Sequence, residues 1–176
     1  METTLTVPAE SPADIPAVPA GQVVTVRVPA TSANLGPGYD SLGLALSLHD
    51  TLTVETLESG ELEFELSGEG ADTLPRDASH LVARALTEAL HVLGFRHEGL
   101  RITADNVNPH GRGLGSSAAA VVAAATAANA LVPAESRRGK DWILQFTSRL
   151  EGHPDNVAPA IFGGLALSWQ DSDQYS

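Results

Sequence analysis

The sequence contains no cysteine, which excludes disulfide bonds, thiolate metal sites, iron–sulfur clusters and thiol nucleophiles. A chain without cysteine is compatible with a reducing compartment, and we expect the cytoplasm. Aromatic residues make up only 5% of the chain, so its core has to be built from aliphatic and small side chains. With 43% hydrophobic residues in a length of 176, the chain can bury the core of one folded unit.

Positive charge is scarce as well. Ten Lys and Arg residues stand against 22 Asp and Glu residues, and a net charge of -12 repels nucleic acid. The longest run of small apolar residues, 118–130, is interrupted by Thr126 and Asn129 and falls short of the roughly 20 residues that a membrane span needs. Residues 1–20 contain no Lys or Arg and no continuous apolar stretch, so we expect neither a secretory signal nor a membrane partner.

Proline and alternating apolar residues divide the chain. Residues 1–20 hold four of the eleven prolines and predict a flexible tail, with one folded domain over 21–176. Val24, Val26 and Val28 share one face of a predicted strand. The predicted strands are 23–28, 42–48, 51–57, 62–66, 100–104 and 165–169, and the clean alternation of the fourth is typical of an antiparallel sheet.

Helical periodicity predicts the remaining elements. Asp77 or Ser79 can cap a helix over 81–93 that Gly94 ends. A helix made almost wholly of small residues is predicted over 116–129, a third over 141–150, and a fourth from Pro154 to about Phe162. Strands and helices in this order indicate an α+β fold.

The strongest chemical signal is the glycine-rich segment, residues 109–119, which reads PHGRGLGSSAA. Three alternate glycines let the backbone approach a ligand, and the helix that follows presents unpaired amides that favour phosphate. Ser116 and Ser117 can cap the helix or reach a phosphate-bound Mg²⁺. An ordinary glycine turn before a capped helix stays open as an alternative. The spacing matches neither a Walker A loop, since the only lysine is Lys140, nor a Rossmann fingerprint.

Two polar motifs flank this segment. The first, residues 29–40, reads PATSANLGPGYD, and its Asn34 and Asp40 can grip an ammonium or a hydroxyl group in one pocket. The second, residues 151–159, reads EGHPDNVAP and packs four polar side chains into six residues. An ordinary turn for the first motif and a capped helix with a solvated His for the second stay open.

The glycine-rich segment resembles the phosphate-binding motif of the small-molecule kinase superfamily that includes galactokinase, homoserine kinase, mevalonate kinase and phosphomevalonate kinase. SANLGPGYDSLGLAL and EGHPDNVAPAIFGG are similar to the homoserine kinase branch, and the similarity covers residues 23–169. The resemblance implies the superfamily's N-terminal domain, with a mixed or antiparallel sheet and packed helices. It also implies transfer of the ATP γ-phosphate to the hydroxyl of L-homoserine, a step of threonine biosynthesis.

The resemblance implies a role for each motif. The ATP phosphates are expected on Pro109, His110, Gly111, Arg112, Gly113, Leu114, Gly115, Ser116, Ser117, Ala118 and Ala119. Ser117 and Glu151 are expected to bind Mg²⁺. The homoserine pocket is expected to contain Asn34, Asp40, His153, Asp155 and Asn156. Asp155 or Asp40 is expected to hold the reacting hydroxyl, with the use of a general base left open, and 77–84 to lie near the nucleotide base.

The family's kinases run well beyond this length, with a second domain that adds another glycine-rich loop and basic side chains. We therefore expect either part of a homoserine kinase or a catalytically incomplete nucleotide-binding half that needs a partner chain. Another acceptor within the superfamily is a weaker alternative, and a homo-oligomer stays open. The six His residues lack H-E-x-x-H spacing and the chain lacks G-x-S-x-G, so zinc and serine hydrolase chemistry find no support.

Overall fold

A computed structural model describes residues 15–172 and 174–176. The strands and helices of the described residues are β1 (Val23–Ala33), β2 (Leu42–Leu57), β3 (Leu62–Gly68), α1 (Leu81–Val92), β4 (Gly99–Asn106), α2 (Ser116–Leu131), α3 (Lys140–Glu151), α4 (Val157–Phe162), β5 (Leu165–Leu167), β6 (Gln170–Asp171) and β7 (Gln174–Tyr175). Two short 3-10 turns joined by a kink at Tyr39 lie within Gly36–Ser41, and one 3-10 turn lies at Ala134–Ser136. This arrangement confirms the predicted α+β fold. None of the described helices is long and apolar enough to span a membrane.

The main sheet has the strand order β1-β2-β4-β3, and β5 pairs with the first residues of β2. β1, β4 and β5 all run antiparallel to β2, whereas β3 runs parallel to β4. The antiparallel expectation is therefore wrong for β3. Alternating apolar residues indicate a strand with one buried face but not its direction, and here α1 makes the crossover that a parallel pair requires.

β2 is one continuous strand of 16 residues, where the sequence predicts two. Its pairing with β1 shifts register between Pro29 and Thr31, which pair with His49 and Ala45 respectively. Such an irregularity bends the pair and changes where the following side chains point. Beyond it β1 continues to Ala33, so the first polar motif starts on a strand and not in a loop.

The core lies between the inner face of the sheet and the helices. Leu52, Val54 and Ile102 of the sheet are almost completely buried, and so is Leu86 of α1. α2 packs against α1, α3 and β1, and ten of its sixteen residues are buried, seven of them alanine. Alanine allows these neighbours to approach closely, which confirms the small-residue core expected from the low aromatic content.

Four local boundaries differ from the sequence expectations. Of the predicted tail, residues 1–14 lie outside the described residues, but Val18 is only 4% exposed and its N–H donates to Arg96 O at 2.8 Å. The cap of α1 is His80, because Asp77 accepts instead from the N–H and hydroxyl of Ser79. The fourth helix starts at Val157, since 154–156 form a turn, and β5 ends at Leu167.

Candidate functional site

The glycine-rich segment ends at Gly115, the N-cap of α2, which has a left-handed backbone with φ of 63°. A Cβ atom at this position would lie 2.1 Å from Thr31 Oγ1 and 2.9 Å from Asn156 Oδ1. Only glycine therefore satisfies both the backbone conformation and the close approach. No side chain caps α2, so the amides of its first turn remain available to an anion.

A buried polar framework holds this segment in place. Asp50 Oδ1 accepts from the N–H groups of Val107 at 2.7 Å and Asn108 at 2.8 Å. Leu114 O in turn accepts from Asn108 Nδ2 at 2.9 Å and from Thr31 N at 3.0 Å. Sequence reasoning missed Asp50, Asn108 and Thr31, although an aspartate within the apolar pattern of β2 is a signal that could have singled out Asp50.

Ser117 and Glu151 meet beside the start of α2. Ser117 Oγ donates to Glu151 Oε2 at 2.9 Å, which joins the first turn of α2 to the last residue of α3. The hydroxyl of Ser117 is thus engaged with a carboxylate and does not cap the helix. The pair presents hard oxygen atoms next to the helix amides, the type of ligand that Mg²⁺ prefers.

The two flanking motifs meet at Asp155, which is fully buried. Its Oδ1 lies 2.5 Å from His153 Nδ1 and accepts from the N–H of Asn156 at 2.9 Å, while Oδ2 accepts from Asn34 Nδ2 at 3.3 Å. Its backbone oxygen lies so close to β2 that a Cβ at Gly43 would be 1.8 Å away. Both carboxylate oxygens are thus used to hold neighbouring groups.

Asn156 is fixed by a different contact. Thr31 Oγ1 donates to Asn156 Oδ1 at 2.8 Å, which orients the amide so that its Nδ2 group keeps two N–H donors. Within residues 15–172 and 174–176, Nδ2 has no hydrogen-bond partner. Asn156 lines the cleft described next, so these donors can serve a bound molecule there.

These groups surround an open cleft with a volume of about 630 Å³. The predicted site residues that line the cleft are Asn34, Gly111, Gly113, Leu114, Gly115, Ser116, Ser117, Ala118, Glu151, His153 and Asn156. Asp155 lies behind this wall, and Pro109 and Arg112 do not contribute to it. Asp40 is exposed on the turn Gly36–Ser41, and its carboxylate has no hydrogen-bond or ion-pair partner among the described residues.

A second, apolar cavity of about 180 Å³ adjoins the cleft. Its wall consists of Asp50, Thr51, Leu52, Leu74, His80, Leu81, Val82, Ala104, Asn106, His110, Ser116, Ser117, Ala119, Ala120 and Ala123. Ser116 and Ser117 belong to both spaces, so the two are neighbours at the start of α2. His110 and Ala119 of the glycine-rich segment face this cavity and not the cleft. Three residues of the region 77–84, which are His80, Leu81 and Val82, line this apolar cavity.

Comparison with known proteins adds to this geometry. Residues 80–164 match the family described as GHMP kinases N terminal domain, a range that includes α1, the glycine-rich segment and the second polar motif. The chain contains a GHMP kinase N-terminal domain. The resemblance to the small-molecule kinase superfamily is confirmed.

Curated relatives of this GHMP kinase domain are named homoserine kinases. The homoserine kinase of Streptomyces coelicolor is 51% identical over 150 residues, which are 85% of this chain and 48% of that protein. That of Corynebacterium kroppenstedtii is 50% identical over 155 residues, or 88% of this chain and 49% of that protein. The chain therefore spans about half the length of the curated relatives it matches.

Solved structures have the same fold. The crystal structure of homoserine kinase from Cytophaga hutchinsonii has a TM-score of 0.71 at 31% identity, over 92% of this chain and 50% of that one. The mevalonate kinase of Methanococcus jannaschii has a TM-score of 0.62 at 16% identity, over 90% of this chain and 56% of that one. The latter likeness concerns the fold alone, which is that of GHMP kinase N-terminal domains.

Proposed function

We propose that this chain forms the ATP-binding part of a homoserine kinase. The enzyme would transfer the γ-phosphate of ATP to the hydroxyl of L-homoserine and give O-phospho-L-homoserine for threonine biosynthesis, in the cytoplasm. The observation that carries this proposal is the cleft itself, where an uncapped helix start, the Ser117–Glu151 pair and the cluster around Asp155 converge. Identity of about 50% to homoserine kinases supports the choice of acceptor.

The two adjoining spaces suit the two parts of ATP. The apolar cavity offers a dry wall to the base, and the cleft offers backbone amides to the triphosphate. Ser116 and Ser117 border both spaces, so a nucleotide can pass from one to the other at the start of α2. This placement makes the positive end of the α2 dipole, and not a lysine, the main anchor of the phosphates.

The residues present fit a Mg²⁺ ion carried by ATP. The described residues contain no group of three or more His, Cys, Asp or Glu side chains that could hold a metal without help. One carboxylate and one hydroxyl, Glu151 and Ser117, are nonetheless joined at 2.9 Å beside the helix start, and Mg²⁺ typically takes one or two protein ligands with substrate phosphates. When bound, the ion would neutralise charge on the transferred phosphoryl group.

The acceptor would lie at the opposite wall of the cleft. Asn34, His153 and Asn156 line it, and Asp155 holds the first two through its two carboxylate oxygens. Phosphoryl transfer depends mainly on positioning and charge stabilisation, so Asp155 would act by orienting groups that hold the homoserine hydroxyl. Asp40 lies outside the cleft lining, and we give it no contact with the acceptor.

The test is phosphorus NMR of the full-length natural gene product with MgATP and L-homoserine. Formation of phosphohomoserine is expected, and mevalonate and galactose in place of homoserine should give none. Steady release of ADP without phosphohomoserine would overturn the choice of acceptor. Phosphorylation of mevalonate or galactose instead would assign the chain to another branch of the superfamily.

The exposed apolar side chains of the β5 region favour a second candidate. Leu165, Leu167 and Trp169 are 68%, 64% and 51% exposed, a patch of the kind that contacts further protein. The chain would then be a catalytically incomplete nucleotide-binding half that needs a partner chain. This candidate predicts that the natural product binds ATP but forms phosphohomoserine only after another polypeptide is added. Turnover by the natural product alone would exclude it.

A further inference from the structure

His80 occupies a wall of the apolar cavity and also caps α1. Its side chain is buried, with 4% exposure, and its Nδ1 accepts a hydrogen bond from the N–H of Val82 at 3.2 Å. A ring nitrogen that accepts a hydrogen bond carries no proton. On a neutral imidazole the proton must therefore be on Nε2, so the helix cap fixes the tautomer.

The Nε2–H group of His80 is a buried donor with no hydrogen-bond partner in the described part of the chain. The aromatic neighbour of the imidazole is Phe64, whose ring centroid lies 5.0 Å away and offers no lone pair. Burial lowers the pKa of His80 and outweighs the opposing charge of Asp77, which keeps the ring neutral. A donor that is desolvated and unpaired costs stability, unless a bound molecule satisfies it.

We propose that His80 Nε2–H donates a hydrogen bond to a ring nitrogen of the purine base of ATP. This inference rests on the proposed function, because it places the base in the apolar cavity. Two other polar side chains of the wall, Asp50 and Asn106, already bond to backbone groups. Asp50 accepts from the N–H groups of the glycine-rich region, and Asn106 Nδ2 donates to Glu69 O at 3.2 Å. The unpartnered donor of His80 thus offers the base a directional contact on a mostly apolar wall.

The test compares ATP with its 1-deaza, 3-deaza and 7-deaza analogues, each of which lacks one ring-nitrogen acceptor. Dissociation constants are measured by calorimetry on the full-length natural gene product. One analogue should bind roughly threefold to tenfold more weakly than ATP, the loss of one hydrogen bond. The others should bind like ATP.

The His80→Ser variant identifies the donor, because serine keeps an N-cap oxygen for α1 but removes the imidazole. The variant should bind ATP and the sensitive analogue with equal affinity. His80→Asp, another strong N-cap, whose carboxylate has no hydrogen to donate, serves if the serine variant does not fold. The matched control is His97→Ser, which removes a half-buried imidazole whose Nδ1 is also buried without a partner but which does not line the cavity. It should keep the full analogue sensitivity.

The outcomes separate the two proposals. ATP binding that tolerates all three analogues would overturn the role of His80 and leave the kinase assignment standing. Weaker binding of one analogue that persists in both His80 variants would likewise overturn the role of His80 and leave the kinase assignment standing. Absence of any ATP binding by the wild-type protein would overturn the inference together with the proposed function.

Discussion

Substitution of Gly115 by alanine tests how the glycine-rich segment is held. The left-handed backbone of Gly115 costs a residue with a Cβ about 1–2 kcal/mol. The new Cβ would lie 2.1 Å from Thr31 Oγ1, so the threonine has to move and its hydrogen bond to Asn156 is lost, at about 0.5–1.5 kcal/mol. The sum of about 1.5–3.5 kcal/mol predicts a fall in Tm of roughly 3–14 °C.

Two further variants separate the cost of the left-handed backbone from the cost of displacing Thr31. Gly113 also has a positive φ, of 72°, but a Cβ there meets nothing within 4 Å, so Gly113→Ala should lose only the backbone part. Thr31→Ala removes the atom that the new Cβ would strike. In the Thr31→Ala background, Gly115→Ala should lower the free energy of unfolding by less than in the wild type, because the hydrogen bond from Thr31 to Asn156 is already absent.

The assay is urea unfolding of the four proteins of the cycle, with Gly113→Ala as the control. A coupling of about 1 kcal/mol between positions 31 and 115 is expected, well above the roughly 0.3–0.5 kcal/mol within which independent sites add. Additive costs within that margin, or an equal loss for the two glycine variants, would refute the packing of β1 against the glycine-rich segment.

Further predictions concern chemistry and pH. Glu151→Gln should lose most turnover while ATP still binds; normal turnover, measured by ADP release, would exclude Glu151 as a metal ligand. Asp155→Asn should impair homoserine use far more than ATP binding, because the carboxylate orients Asn34; equal loss of both in kinetics and calorimetry would contradict this. Burial lowers the pKa of His80 and His97, so the unfolded state binds more protons and stability should fall as pH drops below about 7. Urea unfolding at pH 7.5 and 5.5 should show this fall, and it should shrink when both are replaced by glutamine; an unchanged pH slope would refute the assignment.

The sequence could predict which residues of the candidate site lie in motifs, although their roles stay predictions. Local sequence motifs singled out the glycine-rich segment and Asn34, and the family resemblance singled out Ser117 with Glu151. The structure brings these residues to one cleft, and Asp155 lies directly behind its wall. Each motif taken alone is also compatible with a turn or a helix cap, so it was the occurrence of all three in one chain that indicated a binding site. The same reasoning did not show that Asp40, six residues after Asn34, lies outside that cleft.

The supporting framework depends on contacts between distant residues, which a local pattern does not contain. Asp50 holds Asn108 across 58 residues, and Thr31 holds Asn156 across 125. The direction of β3 is likewise set by the crossover through α1. His80 escaped prediction as a cap because Asp77 and Ser79 are stronger N-cap formers, yet they bond to each other one turn earlier.

The acidity of the chain and the small residues of α2 have a common explanation. None of the residues that line the cleft is Lys or Arg, so under the proposed function neutral backbone amides would do most of the phosphate binding in this part of the enzyme. Those amides are effective only if the helix is held rigidly with its first turn open to the cleft. Buried alanines let α2 pack between β1, α1 and α3, while Gly115 brings its start against Thr31 and Asn156. The small-residue helix therefore suits the proposed phosphate binding, and it also follows from a core poor in aromatics.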